Sequence, residues 1–211
     1  MTKEALVLTG ILHRYDAPNV LDGISFSISP GESVCLTGPN GAGKSTLLRI
    51  AGGIMRPTQG EVTINGVDPY KDRRQAQRYV AYLGDVPFFY ERLRGLEHLE
   101  LLAKLKGGEV EPRVEMAQLL GLTHDDLGRP IGSYSLGMKQ KLGLVATLGG
   151  SQSVVLMDEP FSALDEDARP LARQLISELA TKGLALCFVS HDKDDLSLAT
   201  RVVRLKRGVL V

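Results

Sequence analysis

Residues 38–45 read Gly38-Pro39-Asn40-Gly41-Ala42-Gly43-Lys44-Ser45, and Thr46 follows. The octapeptide fits G-x-x-x-x-G-K-[ST], the spacing of a loop that binds phosphate. Gly38, Gly41 and Gly43 can take backbone angles closed to other residues, so successive N–H groups can turn inward around an anion. The apolar run Ser33–Thr37 in front suits a buried strand, and Thr46–Ala51 behind suits a helix. Such a helix adds the positive end of its dipole and its free N–H groups. Lys44 is suited to carry a mobile charge to the outer phosphates, and Ser45 a hydroxyl to Mg²⁺. A glycine-rich turn with a chance lysine is the bland alternative, and the flanking strand and helix weigh against it.

Working outward, the chain has 211 residues and 43% hydrophobic content, enough for one large domain or a core with a subdomain. Lys+Arg and Asp+Glu both number 25, so no basic excess points to nucleic acid. Cys35 and Cys187 both sit in apolar runs and read as small buried core residues. The N-terminus shows no signal-peptide pattern, and no stretch approaches the roughly 20 apolar residues that cross a bilayer. A membrane role is therefore expected only through a partner.

Short apolar strands are expected at Leu6–Leu12, Ile24–Ile28, Val34–Thr37, Gly60–Gly66 and Val80–Leu83, with a charged helix over Lys71–Arg78. From Arg94 to Gly149 no strand is evident. Leu96, Leu99, Leu102, Ala103 and Leu105 follow helical spacing, as do Val114, Ala117, Leu119, Leu120 and Leu122, and a further helix should begin at Ser135. Strands return at Val154–Met157 and Ala185–Val189. The helix between them, Asp167–Thr181, carries an apolar stripe at Leu171, Leu175, Ile176 and Leu179. The pattern is a parallel α/β core interrupted by a helical insert.

A second signal is Val154-Val155-Leu156-Met157-Asp158-Glu159-Pro160. Four apolar residues in a row suggest a strand buried on both faces. Two carboxylates end it, where ligands of α/β sheets bind. Asp158 is suited to hold Mg²⁺, and Glu159 to orient and deprotonate an attacking water. The plain alternative is an N-capping acid pair.

With these residues the chain resembles the nucleotide-binding domain of an ABC transporter over essentially its whole length. Tyr134-Ser135-Leu136-Gly137-Met138-Lys139-Gln140-Lys141 is similar to the family signature, commonly Leu-Ser-Gly-Gly-Gln. Ser162-Ala163-Leu164-Asp165 resembles the D-loop, Ser190-His191-Asp192 the switch histidine, and Tyr15 the aromatic residue that stacks on adenine. The resemblance implies an α/β fold: a P-loop NTPase core with a mainly parallel sheet, N-terminal antiparallel β strands and an inserted all-helical subdomain. The implied division is core 1–85 and 150–211 with the helical part at about 86–149. It implies an ATPase that binds ATP and Mg²⁺ and powers transport through a separate transmembrane permease subunit, peripherally at the inner face of the cell membrane.

By the same resemblance Pro39, Asn40, Ala42 and Thr46 complete the nucleotide loop. Ser135 and Gly137 cover the γ-phosphate held by a second copy in a head-to-tail homodimer. His191 contacts that phosphate. Tyr15 has an edge or core tyrosine as its alternative. His13, His98 and His124 fit no motif and are expected to be surface or structural. A soluble ABC-type mechanoenzyme acting on ribosomes or DNA is the competing function. It is disfavoured by the single phosphate loop and the neutral charge. A P-loop kinase or GTPase is disfavoured by the missing Asn-Lys-x-Asp motif.

The chain departs from the pattern twice. Leu136 and Met138 replace a glycine and a glutamine of the signature, and this form resembles bacterial exporters of the ABC-2 type. Asp85 stands where the family usually has a glutamine. It is expected either to enter the Mg²⁺ shell or to be a solvated loop residue. Phe88-Phe89-Tyr90, three of eleven aromatic residues, then form either a docking patch for a membrane subunit or packing inside the helical insert.

Overall fold

Strands whose every residue is buried are the centre of this molecule. In the computed structural model, which describes residues 4–16 and 18–211, Val154–Asp158 (β6) and Ala185–Val189 (β7) are buried throughout. They lie side by side in a six-stranded sheet of order β5-β6-β7-β3-β8-β9. Its other strands are Val80–Leu83 (β5), Ser33–Thr37 (β3), Arg201–Lys206 (β8) and Val209–Leu210 (β9). All neighbours are parallel except β8 and β9. Leu6–His13 (β1), Leu21–Ile28 (β2) and Gln59–Ile64 (β4) form a separate antiparallel sheet of order β2-β1-β4.

Side chains alternate across the parallel strands, as a period of two requires. Val34, Leu36, Val154, Leu156, Cys187 and Val189 join one apolar cluster, together with Leu47, Leu48 and Ile50 of α1 (Lys44–Ala51) and the inner face of the antiparallel sheet. Cys35, Val155, Met157, Leu186 and Phe188 join the other cluster. They pack there against α6 (Leu136–Leu148) and α7 (Ala168–Thr181). Both faces are covered, which is why these strands read as unbroken apolar runs. Both cysteines are buried and free.

Four further helices precede or surround α6: α2 (Arg73–Ala76), α3 (Gly95–Lys106), α4 (Glu111–Leu119) and α5 (His124–Leu127). A short α8 (Lys193–Leu196) follows β7. Among the described residues no helix is long and apolar enough to cross a membrane.

Several expectations need correction. The charged helix of 71–78 is one turn, α2, started by Asp72, whose side chain accepts from the Gln75 N–H. On α3 the buried residues are Gly95, His98, Leu99 and Ala103, while Leu105 is 72% exposed. On α4 Leu119 is half exposed and Arg113 takes a core position. On α7 the deepest line is Ala168, Ala172 and Ile176, with Leu171, Leu175 and Leu179 only partly buried. Strands β8 and β9 had no expectation, since Arg201-Val202-Val203-Arg204 mixes charge with apolar residues on a half-exposed strand.

Candidate active site

The carboxyl ends of β3, β5, β6 and β7 line up. Leu36 and Asp158 both pair with Val189, and Leu83 pairs with Met157. The loop after β3 therefore faces the acids after β6 and the histidine after β7.

That loop needs its glycines. Gly38, Gly41 and Gly43 have φ of 144°, 77° and 101°. A Cβ on Gly38 would run into the Leu205 carbonyl, and one on Gly43 would come within 3.0 Å of the Val20 carbonyl. The first turn of α1 has no side-chain cap, so its N–H groups face the loop. Lys44 is buried, and its Nζ donates to the carbonyls of Gly38 at 2.7 Å and Pro39 at 3.1 Å. These carbonyls hold the ammonium over the loop, where an anion would meet it. Thr46 Oγ1 lies 3.2 Å from the Tyr15 hydroxyl. Tyr15 also donates to Met55 Sδ, sets its ring edge-on to His13 and remains 58% exposed.

Asp158 ends β6 and is 2% exposed, with Oδ2 lacking any partner. Burial pushes its carboxyl above the usual range, the Ser45 hydroxyl opposes this, and the Asp85 charge adds to it. An orphaned buried carboxylate oxygen beside a serine hydroxyl and a lysine is a fitting donor set for a hard cation. Among the described residues no three His, Cys, Asp or Glu gather into a self-sufficient metal site. Such a cation would take the rest of its shell from phosphate and water.

Glu159 sits at φ 49°, a left-handed conformation rare for a residue with a Cβ. Its Oε1 lies 3.3 Å from His191 Nε2. Burial raises its pKa and the neighbouring His191 partly offsets that. The His191 loop is clamped from behind. Ser190 Oγ donates to buried Asp195, which also accepts from Arg173 Nε at 2.8 Å. Arg173 and Asp195 escaped the sequence reading. The available signal was the acid run Asp192, Asp194 and Asp195 opposite Arg169 and Arg173 on the preceding helix.

Asp85 is exposed, two residues past β5, and accepts from the Val86 N–H at 2.9 Å. It lines a cavity of about 350 Å³ with Arg49, Tyr82, Val86 and Phe88. Arg49 and Tyr82 are further residues the sequence reading missed. A neighbouring cleft of about 710 Å³ shares Tyr82 and Lys106 with that cavity and adds Ile54, Arg74, Arg78 and Leu105. The aromatic triplet divides here. Phe89 is buried edge-on to His98, while Phe88 is 85% exposed and Tyr90 is 62% exposed.

Ser135 caps α6, its Oγ accepting from the Met138 N–H at 3.2 Å. Neither it nor Gly137 lines the 660 Å³ cleft against the phosphate loop, which Thr37, Asn40 and His191 border. His13 and His98 are buried and His124 is exposed.

A family model described as "ABC transporter" matches residues 21–162, more than half of the sequence. The chain belongs to the ABC transporter family. It is an ATP-binding cassette that hydrolyses ATP to power transport. It is 31% identical to the "Uncharacterized ABC transporter ATP-binding protein YhcH" of Bacillus subtilis, over 99% of this chain and 69% of that protein. It is 34% identical to the "Probable multidrug ABC transporter ATP-binding protein YbhF" of Escherichia coli, over all of this chain but 37% of that protein. The cassette thus spans little more than a third of the second relative. A solved dimeric cassette, MJ0796 in a post-hydrolysis state bound to ADP and Pi, superposes with a TM-score of 0.89 at 25% identity, covering 97% of this chain and 96% of that one.

Proposed function

We propose that this cassette is the ATPase subunit of an exporter, working through a separate transmembrane permease as a head-to-tail homodimer. It would lie peripherally at the inner face of the cell membrane, reaching the bilayer only through that partner. We read residues 1–85 and 150–211 as the ATPase core and about 86–149 as a helical subdomain. The export direction is supported by the form of the signature segment and by the multidrug description of the Escherichia coli relative.

The phosphate loop, Gly38 to Thr46, holds the triphosphate through backbone N–H groups. Lys44 exchanges its two carbonyl partners for phosphate oxygens. Tyr15 offers an open ring face to the adenine. Ser45 and Asp158 would hold Mg²⁺, with Asp85 within electrostatic reach, and the ion would supply neutralisation of the phosphate charge. Glu159 accepts a proton from the attacking water, and its raised pKa makes it a better base than an exposed glutamate. His191 fixes the Glu159 side chain and donates toward the transferred phosphate. Ser135 and Gly137 of the partner copy close the site with the N-terminus of its α6.

The observation that carries this reading is the unpartnered, buried Asp158 oxygen beside the Glu159–His191 pair and the glycine loop. Glu159→Gln tests it. Turnover of ATP to ADP and phosphate should fall about 10²-fold or more, the scale of losing a positioned base, while ATP binding persists. Near-normal hydrolysis would assign the base elsewhere.

A further inference from the structure

The ring of His191 is half exposed, so packing does not aim it and the backbone on either side must. That backbone is bent by a hydroxyl. Ser190 Oγ accepts the Asp192 N–H at 3.2 Å, a serine turn that encloses His191. The same hydroxyl gives its proton to Asp195 Oδ2. Ser190 and Asp195 are 3% and 2% exposed, so neither can trade these bonds for water.

A carboxylate buried this deeply needs a cation. Arg173 of α7 supplies it: Nε donates to Asp195 Oδ1 at 2.8 Å, and Nη2 lies 2.6 Å from the same oxygen. The two carboxylate oxygens are thus divided, one for the guanidinium and one for the serine. Arg173 reaches two further places. Its Nη2 is 3.7 Å from Asp192 Oδ2, and Arg169, one turn earlier, stands at the same distance from that atom. Its guanidinium also lies 5.9 Å from the centre of the Phe161 ring. Phe161 is two residues beyond Glu159 and packs edge-on to Phe188 of β7. One arginine therefore touches both the segment that carries His191 and the segment that carries Glu159, whose side chains meet at 3.3 Å.

We propose that Ser190, Asp195 and Arg173 are positioning residues for His191. They hold its backbone turn so that Nε2 stays against Glu159 and within reach of the transferred phosphate. This rests on the reading of His191 as a donor to that phosphate. The three act in sequence. The Arg173 charge keeps Asp195 an acceptor, Asp195 takes the Ser190 proton, and the lone pair this leaves facing the chain receives the Asp192 N–H. Removing the serine hydroxyl spares the Arg173–Asp195 pair and releases only the turn. None of these bonds involves the phosphate loop, so the loss falls on turnover and not on nucleotide affinity.

The test is a double-mutant cycle. The kcat and KM for ATP are measured for the parent, Ser190→Ala, His191→Ala and the double variant, with fluorescent-ADP binding beside them. Ser190→Ala should lose kcat about ten-fold or more, the scale of a misplaced catalytic group, with KM and ADP affinity unchanged. In the His191→Ala background the same change should cost nothing further, because the residue it positions is already gone. An equal loss in both backgrounds overturns the link, and so does a parental kcat in Ser190→Ala. If His191→Ala itself turns over ATP like the parent, the role given to His191 falls and the positioning falls with it. Should Ser190→Ala not fold, Arg173→Lys, which keeps the charge but loses the flat fork, passes through the same cycle and decides by the same criterion.

Discussion

Glu159 and Asp158 are two carboxyls whose ionised forms are disfavoured before any ligand arrives. For both, burial is the largest cause and it raises the pKa. A carboxyl with a raised folded-state pKa takes up protons more readily folded than unfolded. Its contribution therefore favours folding in acid and is lost as pH rises through the folded value. Glu159→Gln removes that cost. Without ligand the variant should melt above the parent near neutral pH, and the gap should close as the pH falls below the ordinary glutamate range. Thermal melts across pH measure it, and an equal gap at every pH would mean that the carboxylate charge is not the cause. Asp85 adds its own charge to this corner and pushes Asp158 further up. Asp85→Asn should raise the Mg²⁺ needed for half-maximal turnover by about two- to five-fold, the scale of an exposed charge contact. An unmoved Mg²⁺ titration would leave Asp85 as a solvated loop residue.

At the level of elements, helices were easier to find than to orient. Leucine spacing gave α3 and α4, but Leu105 and Leu119 face outward and Arg113 faces in. Periodicity reports that an apolar stripe exists. It does not report that a neighbouring cleft or partner uses part of it, nor that a long basic stem can substitute for a leucine in the packing. Arg113 is the sharpest case. It is 1% exposed, gives Nη1 to the Glu109 carbonyl at 2.8 Å, and leaves Nε and Nη2 without partners. Burial lowers its pKa, and among the described residues it makes no ion pair. A buried charge without a counter-charge is weak support for a fold, and an apolar residue of similar shape is often better. Arg113→Met keeps the stem that packs on Gly149 and should raise the melting temperature by about 2–4 °C for each kcal/mol recovered. A lowered melting temperature would show that the guanidinium has a partner of value in solution.

Across the whole molecule, the phosphate-loop and acid-pair residues were legible because a parallel sheet brings strand ends to one edge. Val154–Asp158 announced both its burial and its position in one run. The clamp of Ser190, Asp195 and Arg173 left only an acid run opposite two arginines in the sequence, because its partners lie on separate elements and no fixed spacing joins them. The proposed docking surface was half legible. Phe88-Phe89-Tyr90 could be read either as a docking patch or as packing, and the structure exposes Phe88 and Tyr90 but buries Phe89, while the rest of the surface comes from distant segments. Ile54, Val86, Phe88 and Leu105 are 52–85% exposed and border the two adjoining clefts. Arg49, Arg74, Arg78 and Lys106 line the same clefts and form no ion pair among the described residues, against a single carboxylate, Asp85. Exposed apolar residues mixed with unpaired cations suit an amphipathic segment that carries acids, and the proposed permease is the candidate to supply it. Arg74 and Arg78 are exposed and are not among the residues that line the cleft against the phosphate loop. Arg74→Glu with Arg78→Glu, and separately Phe88→Glu, should preserve the ATPase of the isolated cassette while abolishing co-purification with its membrane subunit. Raising salt should weaken the parent complex and affect the Phe88→Glu defect little, since the contact that Phe88 loses is apolar. Retained assembly after both changes would move the permease to another face.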